Sequence, residues 1–343
     1  TAGSIRPMPF YTDQVQRDLE DLLGADVAAE GNFLVSTYLD PLLQQVVERR
    51  LRNLLLSARG PTQGAAVLLD SRSGGVLALA GGRDYSRSQY NRASMALRQP
   101  GSTFKLFTYL AALQLGIQPT DRVACGPLEW GGQVFASGCG GSLSLTSAFA
   151  NSSNTAALRL ARRVGLDRAV SMARNLGITT PLEPVPGLVL GQAELRLIEL
   201  TAAYGAVANQ GIWHRPTTIR QLTDAEQGRS DRVAGQGINP GRRVLSPAVA
   251  AAMQGLLQAV VREGTGTAAR LGGQEGGKTG TTNNGRDLLF VGYEPSRHWV
   301  LGVWLGNDDN TPTGASSALA AELWSEIIRS AGRGSLGPGL TLR

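Results

Sequence analysis

The amino-acid sequence predicts an α+β fold: a five-stranded antiparallel sheet flanked by helices, with a mostly helical subdomain inserted between its two halves. Three observations predict it. Two short apolar strands stand early in the chain, three more stand late, and the stretch between them carries apolar residues at helical spacing. With 343 residues, 42% of them hydrophobic and 17% charged, the chain can bury one large core or two moderate ones.

In order, residues 12 to 24 and 41 to 58 have helical periodicity, the second marked by Leu42, Leu43, Val46, Val47, Leu51 and Leu54 to Leu56. Asn32 to Tyr38 between them reads as a strand. We read residues 1–60 as a linker or accessory unit and 61–330 as the main domain. Ala65–Asp70 and Val76–Ala80 are apolar strands joined by Ser71 to Gly75, a hairpin signal. A helix follows from Ser102 to a stop at Gly116. The insert, about 117–260, includes helical segments Thr155–Val164, Arg168–Leu176, Glu194–Asn209 and Pro247–Val261. Strands are expected at Gly276–Thr282, Leu288–Tyr293 and Trp299–Gly306, then a helix over Ser316–Ser330 and a disordered Gly/Pro-containing tail over 331–343.

The chemistry starts at Arg98 to Phe107, where Ser102 and Lys105 lie three residues apart at a helix start and so share a face. Pro100 and Gly101 break the preceding structure. At a first turn, unpaired backbone N–H groups and the helix dipole favour an anionic transition state, and an amine one turn on can take the serine proton. A capping serine beside a solvated lysine is the plainer interpretation. Composition argues against it: of 33 cationic residues only Lys105 and Lys278 are lysines. Arginine cannot give up its proton near neutral pH, and a desolvated lysine beside another cation can.

Lys278 lies in Gly276 to Thr282, a strand with little side-chain bulk, which suits close approach of a ligand backbone. Period 2 puts Thr279 and Thr281 on one side, where two hydroxyls can hold a carboxylate, and Lys278 on the other. Between the lysines, Ser152, Ser153 and Asn154 form a polar loop. Each alone would be a capping residue. Together the chain holds SxxK, SxN and KTG in order, a set that serves acyl transfer through a serine.

Other chemistries fail on context. Gly272 to Thr279 satisfies GxxxxGK[ST], but the turn formers Gly280, Asn283, Asn284 and Gly285 follow where a phosphate loop needs a helix. No GxSxG occurs, and His214 and His298, the only histidines, lack a triad setting. Zinc binding lacks the ligand spacing, so no metal or cofactor is expected. The net charge of +6 comes from scattered arginines without a basic stripe, so no nucleic acid partner is expected. Cys125 and Cys139 share one Gly-rich stretch. In an exported protein they would form a disulfide, and in a cytosolic one they would stay as free thiols. No apolar run reaches 18 residues, and Thr1 follows no initiator Met or signal pattern, so we expect an excised or processed piece.

The motifs carry a resemblance. Gly81 to Tyr85, Asn91 to Ala93, Arg98 to Lys105, Ser152 to Asn154, Gly266 with Thr267, Gly277 to Thr282, Phe290 to Tyr293 and Gly302 to Asn310 resemble the transpeptidase domain of bifunctional class A penicillin-binding proteins. The resemblance runs from about residue 30 to 330, and Thr37 to Gln44 is similar to the family's junction with a glycosyltransferase domain.

The resemblance implies a fold shared with serine β-lactamases and a peptidoglycan D,D-transpeptidase. Ser102 would attack the carbonyl between two terminal D-alanines of a stem peptide, with Lys105 as general base. Ser152, bridged to a charged Lys278, would pass a proton to the departing D-alanine. Asn154 would hold the donor peptide's amide, while Thr279, Gly280 and Thr281 would bind the terminal carboxylate end. Backbone N–H groups of Ser102 and Thr281 would form the oxyanion hole. An amine of a neighbouring stem peptide would then take the acyl group, and β-lactam antibiotics would acylate Ser102. The implied setting is the periplasmic, extracytoplasmic face of the inner membrane, with an anchor and glycosyltransferase domain elsewhere in the parent protein. A class A β-lactamase would carry a deacylating Glu in an ExxxN pattern, and neither Glu183 nor Glu194 is so placed. A D,D-carboxypeptidase or a non-catalytic β-lactam sensor would use the same residues.

Overall fold

A computed structural model describes residues 8–224 and 239–334 of the chain. The elements used below are, in chain order, α1 (Pro9–Leu23), β1 (Phe33–Thr37), α2 (Pro41–Ser57), β2 (Gln63–Asp70), β3 (Val76–Ala80), α3 (Lys105–Gln114), α4 (Asn154–Val164) and α5 (Leu197–Ala208). They continue with β4 (Ile219–Asp224), α6 (Pro247–Glu263), β5 (Gly276–Thr281), β6 (Asp287–Glu294), β7 (Trp299–Gly306) and α7 (Ala318–Gly334).

The five-stranded sheet has the order β5-β6-β7-β2-β3, every neighbour antiparallel. Its fold class is the α+β class read from the sequence. The central strands are buried on both faces, which explains why β7 reads as a continuous apolar run rather than an alternating one. Successive residues go to opposite cores. Val67, Leu69, Val291, Val300 and Trp304 join one apolar cluster with residues of α3, α5 and α6. Ala66, Leu68, Phe290, Leu301 and Val303 join another with α2 and α7. Helices α2 and α6 each start at a side-chain cap: Asp40 accepts from the N–H groups of Leu42 and Leu43 ahead of α2, and Ser246 accepts from the Val249 N–H ahead of α6. Pro41 and Pro247 stand at the first positions of these helices, where a missing N–H costs nothing.

Helix α5 is buried nearly all round because it lies directly on the sheet. A Cβ on Gly302 would meet Thr201 Oγ1 at 2.0 Å, so only glycine lets helix and strand approach this closely.

The middle of the chain is mostly helical, as expected, and also holds strands: β4 pairs with β1, and short two-stranded ladders join Arg122–Ala124 to Ser142–Ser144 and Leu128–Trp130 to Gln133–Phe135. One expectation needs correcting. Helix α7 runs through Ala331 to Gly334, where a tail was expected, because Ile327, Ile328 and Ala331 continue its buried stripe. The remaining expected tail, 335–343, lies outside the described residues.

Candidate active site

Ser102 sits in a 3-10 turn, Gly101–Phe104, that runs directly into α3. The expected single helix start is thus a tighter turn followed by α-helix. Thr103 anchors the turn, donating its hydroxyl to the Pro100 carbonyl at 2.7 Å and offering its own carbonyl to Tyr204 Oη at 2.9 Å. Ser102 is half-buried, and its Oγ makes no hydrogen bond among the described residues, which leaves it open to a reacting group.

One turn on, Lys105 is fully buried, and its amine does not hold Ser102. It donates instead to the Ser152 carbonyl at 2.7 Å and to Asn154 Oδ1 at 2.6 Å, and lies 3.2 Å from Ser152 Oγ. From the opposite side Lys278, also fully buried, reaches Ser152 Oγ at 3.0 Å and the Thr279 carbonyl at 3.2 Å. The Phe149 ring lies 5.6 Å from its amine. SxxK, SxN and KTG therefore converge on one hydroxyl.

No carboxylate pairs with either amine among the described residues. Burial pushes Lys105 well below the usual lysine range, and the charge of Lys278 adds to the shift. Burial alone lowers Lys278 to about 7. The sequence reading lets Lys105 lose its proton and keeps Lys278 charged; with Lys278 lowered to about 7, its charge becomes sensitive to pH near neutrality.

Ser152 adopts φ 55°, left-handed backbone that a non-glycine residue enters only at a cost of about 1 kcal/mol or more. Two backbone bonds hold it there, Ser152 N–H to the Phe149 carbonyl and Ser153 N–H to the Ala148 carbonyl. The strained turn aims both the carbonyl and the hydroxyl of Ser152 at Lys105. Capping of α4 falls to Ser153, whose hydroxyl accepts from the Ala156 N–H at 3.3 Å. Asn154 is exposed, and with Oδ1 on the lysine its amide N–H groups face solvent, available to a peptide carbonyl.

Strand β5 is a sheet edge. Thr282 N–H donates to the Asp287 carbonyl, so by alternation the N–H of Thr281 points away from β6 toward the free edge. That edge abuts the Ser102 turn. A Cβ on Gly101 would lie 2.9 Å from the Thr281 carbonyl oxygen and 3.1 Å from its nitrogen, and Gly101 has φ 54°. On its other side, a Cβ on Gly191 would strike the Gly101 carbonyl oxygen at 2.1 Å. Three backbones meet here with no side chain between them.

Two expectations about β5 change. The low bulk at Gly280 serves the protein itself, since a Cβ there would meet the Pro100 carbonyl oxygen at 2.4 Å. The two threonines also differ: Thr281 is exposed, whereas Thr279 is 4% exposed and pairs with Thr265 Oγ1 at 2.6 Å. Thr265, which sequence reasoning passed over, is thus part of the site; its signal was its place in Gly264 to Thr267.

The phosphate-loop match is closed from within. The N–H groups of Leu271, Gly272 and Gly273 all donate to the Glu275 carboxylate, occupying the amides that a phosphate would need. Cys125 and Cys139 are joined in a disulfide, and the Cys125 carbonyl accepts from Thr155 Oγ1 at 2.6 Å, beside Asn154. His214 contacts the Asn239 carbonyl, and His298 sits in a left-handed turn; neither approaches the lysines. A hollow of about 910 Å3 lies between α1 and the insert, but no catalytic candidate lines it. The convergent amines, not the size of a hollow, mark the site.

Residues 64–329 match the model of the penicillin binding protein transpeptidase domain. The chain is 30% identical to penicillin-binding protein 2D of Bacillus subtilis over 356 residues, covering 96% of this chain and 50% of that protein. It is 33% identical to penicillin-binding protein 1A of Aquifex aeolicus over 280 residues, 78% of this chain and 38% of that protein. The chain thus spans half or less of the length of these relatives. Among solved structures, penicillin-binding protein PonA1 of Mycobacterium tuberculosis superposes with a TM-score of 0.85 at 26% identity, covering 98% of this chain and 94% of that one. A PonA1 complex with penicillin V gives 0.84 at 25% identity, covering 98% and 96%. On the motif match and the shared fold, the chain belongs to the family of penicillin-binding protein transpeptidase domains.

Proposed function

We propose that the chain is a serine D,D-transpeptidase that cross-links peptidoglycan stem peptides and is acylated by β-lactams. The observation that carries this is the convergence of the chain's only two lysines, both buried, on Ser152 Oγ beside an unbonded Ser102.

Neutral Lys105 takes the Ser102 proton, directly or through the Ser152 hydroxyl, as Oγ bonds to the carbonyl carbon of the penultimate D-alanine. The resulting oxyanion is held by the N–H groups of Ser102 and Thr281. Collapse breaks the C–N bond, and the leaving D-alanine amine receives the proton back through Ser152. Thr281 and the Thr279–Thr265 pair offer hydroxyls to the terminal carboxylate, with Lys278 supplying positive charge behind them. Asn154 donates to a donor-peptide carbonyl. An acceptor amine then attacks the ester, its proton passes to the same relay, and Ser102 leaves with its proton restored.

The known relatives' length supports a parent protein that also holds a glycosyltransferase domain and a membrane anchor and works at the extracytoplasmic face. No helix among the described residues is long and apolar enough to cross a membrane.

The test is to incubate the protein with a donor ending in D-Ala-D-Ala, or its thioester, plus a D-amino acid acceptor. Aminolysis product is expected. Hydrolysis alone would replace this function with a D,D-carboxypeptidase, and a single stoichiometric acylation without turnover would replace it with a β-lactam sensor.

A further inference from the structure

Asp287, at the start of β6, is 3% exposed yet carries a carboxylate, and nothing in the acyl-transfer scheme uses it. Its Oδ1 accepts from Arg98 Nε at 2.6 Å and from Trp304 Nε1 at 2.9 Å, and its Oδ2 accepts from Thr282 Oγ1 at 3.0 Å. The guanidinium of Arg98 lies over the Trp304 ring at 4.9 Å. Arg98 is 17% exposed in this ion pair, so both charges are largely out of water and the pair depends on its hydrogen bonds. The Asp287 backbone repeats the tie: its N–H donates to Thr282 Oγ1 at 2.9 Å and its carbonyl accepts from the Thr282 N–H.

The two segments held this way are the ones that carry the N–H groups aimed at the developing oxyanion. Arg98 stands four residues before Ser102, and Thr282 directly follows Thr281. Between the anchored points the two backbones touch at Gly101 and Thr281. No backbone hydrogen bond among the described residues joins one segment to the other; Asp287 bonds to both through Arg98 and Thr282, and the close packing of Gly280 and Gly191 against the turn completes the contact.

We propose that Asp287 is a positioning residue that sets the spacing of the two oxyanion-hole N–H groups through Arg98 and Thr282. The proposal rests on the transpeptidase function above. A sub-ångström drift of either donor weakens the bonds made in the transition state more than those made to the ground-state carbonyl, so the loss falls on the acylation step.

The experiment compares a donor ester with its thionoester, in which C=S replaces the reacting C=O, for wild type and for Asp287→Asn. A well-formed oxyanion hole favours the oxygen ester, because sulfur accepts these short hydrogen bonds poorly. For Asp287→Asn the acylation rate of the oxygen ester is expected to fall on the order of 30-fold, and the oxygen-to-sulfur rate ratio on the order of ten-fold, with KM little altered. Rates are read per penicillin-labelled molecule, so a misfolded fraction does not enter. Arg98→Lys keeps the charge but loses the Nε bond and is expected to lower the ratio in the same direction, which covers the case in which Asp287→Asn does not fold. Equal losses for both esters, or an unchanged ratio in the variant that folds, would overturn the proposal. Failure of wild-type Ser102 to be acylated by either ester would instead overturn the transpeptidase assignment.

Discussion

Lys105 and Lys278 hold opposite sides of one hydroxyl, with Ser152 Oγ at 3.2 Å from the first amine and 3.0 Å from the second. Two buried ammonium groups so placed and without a carboxylate cannot both keep full charge. The serine between them lets a proton be shared rather than lost.

A bell-shaped pH profile follows for acylation of Ser102 by penicillin. The rising limb is loss of the proton from Lys105, far below the usual lysine range, and the falling limb is loss of the Lys278 charge near 7. The limbs belong to the coupled pair rather than to single residues. Stopped-flow labelling from pH 4.5 to 9 measures it. A rate still rising at pH 9 would show that the Lys278 charge is not needed.

Stability should move the other way with pH. The folded-state pKa of Lys278 is depressed below its unfolded value near 10.5, so the unfolded chain binds more protons between about 7 and 10.5, and stability rises with pH across that window. The cost of burying this amine at pH 7 is on the order of 4 kcal/mol. Lys278→Met should therefore raise the denaturant midpoint at pH 7 while abolishing turnover. A lower midpoint would mean that the hydrogen bonds to Ser152 and Thr279 outweigh desolvation.

Ser102→Ala should remove covalent labelling by a fluorescent penicillin. Lys105→Arg should lower the labelling rate by about 10³-fold or more, since a guanidinium stays protonated and cannot act as a base. Intact-protein mass spectrometry after labelling checks both, and a normal rate in Lys105→Arg would remove the base role.

Gly280→Ala tests whether β5 must touch the nucleophile turn. Its methyl group would lie 2.4 Å from the Pro100 carbonyl oxygen, so the turn has to move off the strand. Labelling should slow by about 10²-fold and the domain should lose roughly 1–3 kcal/mol. Unaltered labelling kinetics would show that the contact has no bearing on acylation.

Reducing the disulfide between Cys125 and Cys139 should cost roughly 3 kcal/mol in the chain-entropy model while leaving most labelling intact. Thermal melts with and without reductant, with alkylation to count thiols, measure this. A loss of labelling that tracks reduction would tie the Thr155 contact to the placement of Asn154 instead.

What was legible in the sequence was local. Periodicity located α2, α5 and α6, the apolar runs located the five strands of the sheet, and the three motifs located both lysines and Ser152. What escaped depends on distant partners. Nothing near Ile219–Asp224 announces that it pairs with Phe33–Thr37. Asp287 looks like any strand-edge acid until Arg98 and Trp304 are brought to it by the fold. The glycines of β5 signalled close approach correctly, but not which body approaches: at Gly280 it is the Pro100 carbonyl. The depth of Lys278, whose burial lowers its pKa to about 7, follows from the whole sheet and not from KTG.

The sheet order has a kinetic consequence. Its middle pairs β2 with β7, Val67 opposite Gly302, 235 residues apart in the chain. Ser102, Ser152 and Lys278 lie on three segments of that excursion, and bringing Ser102 to Lys278 closes a loop of 176 residues, far longer than any that a helix closes. Such closure is entropically late in folding, whereas the helices of the excursion form from neighbours. In a refolding experiment the helical signal should therefore return first and penicillin reactivity last, which makes acylation of Ser102 a stopwatch for completion of the fold.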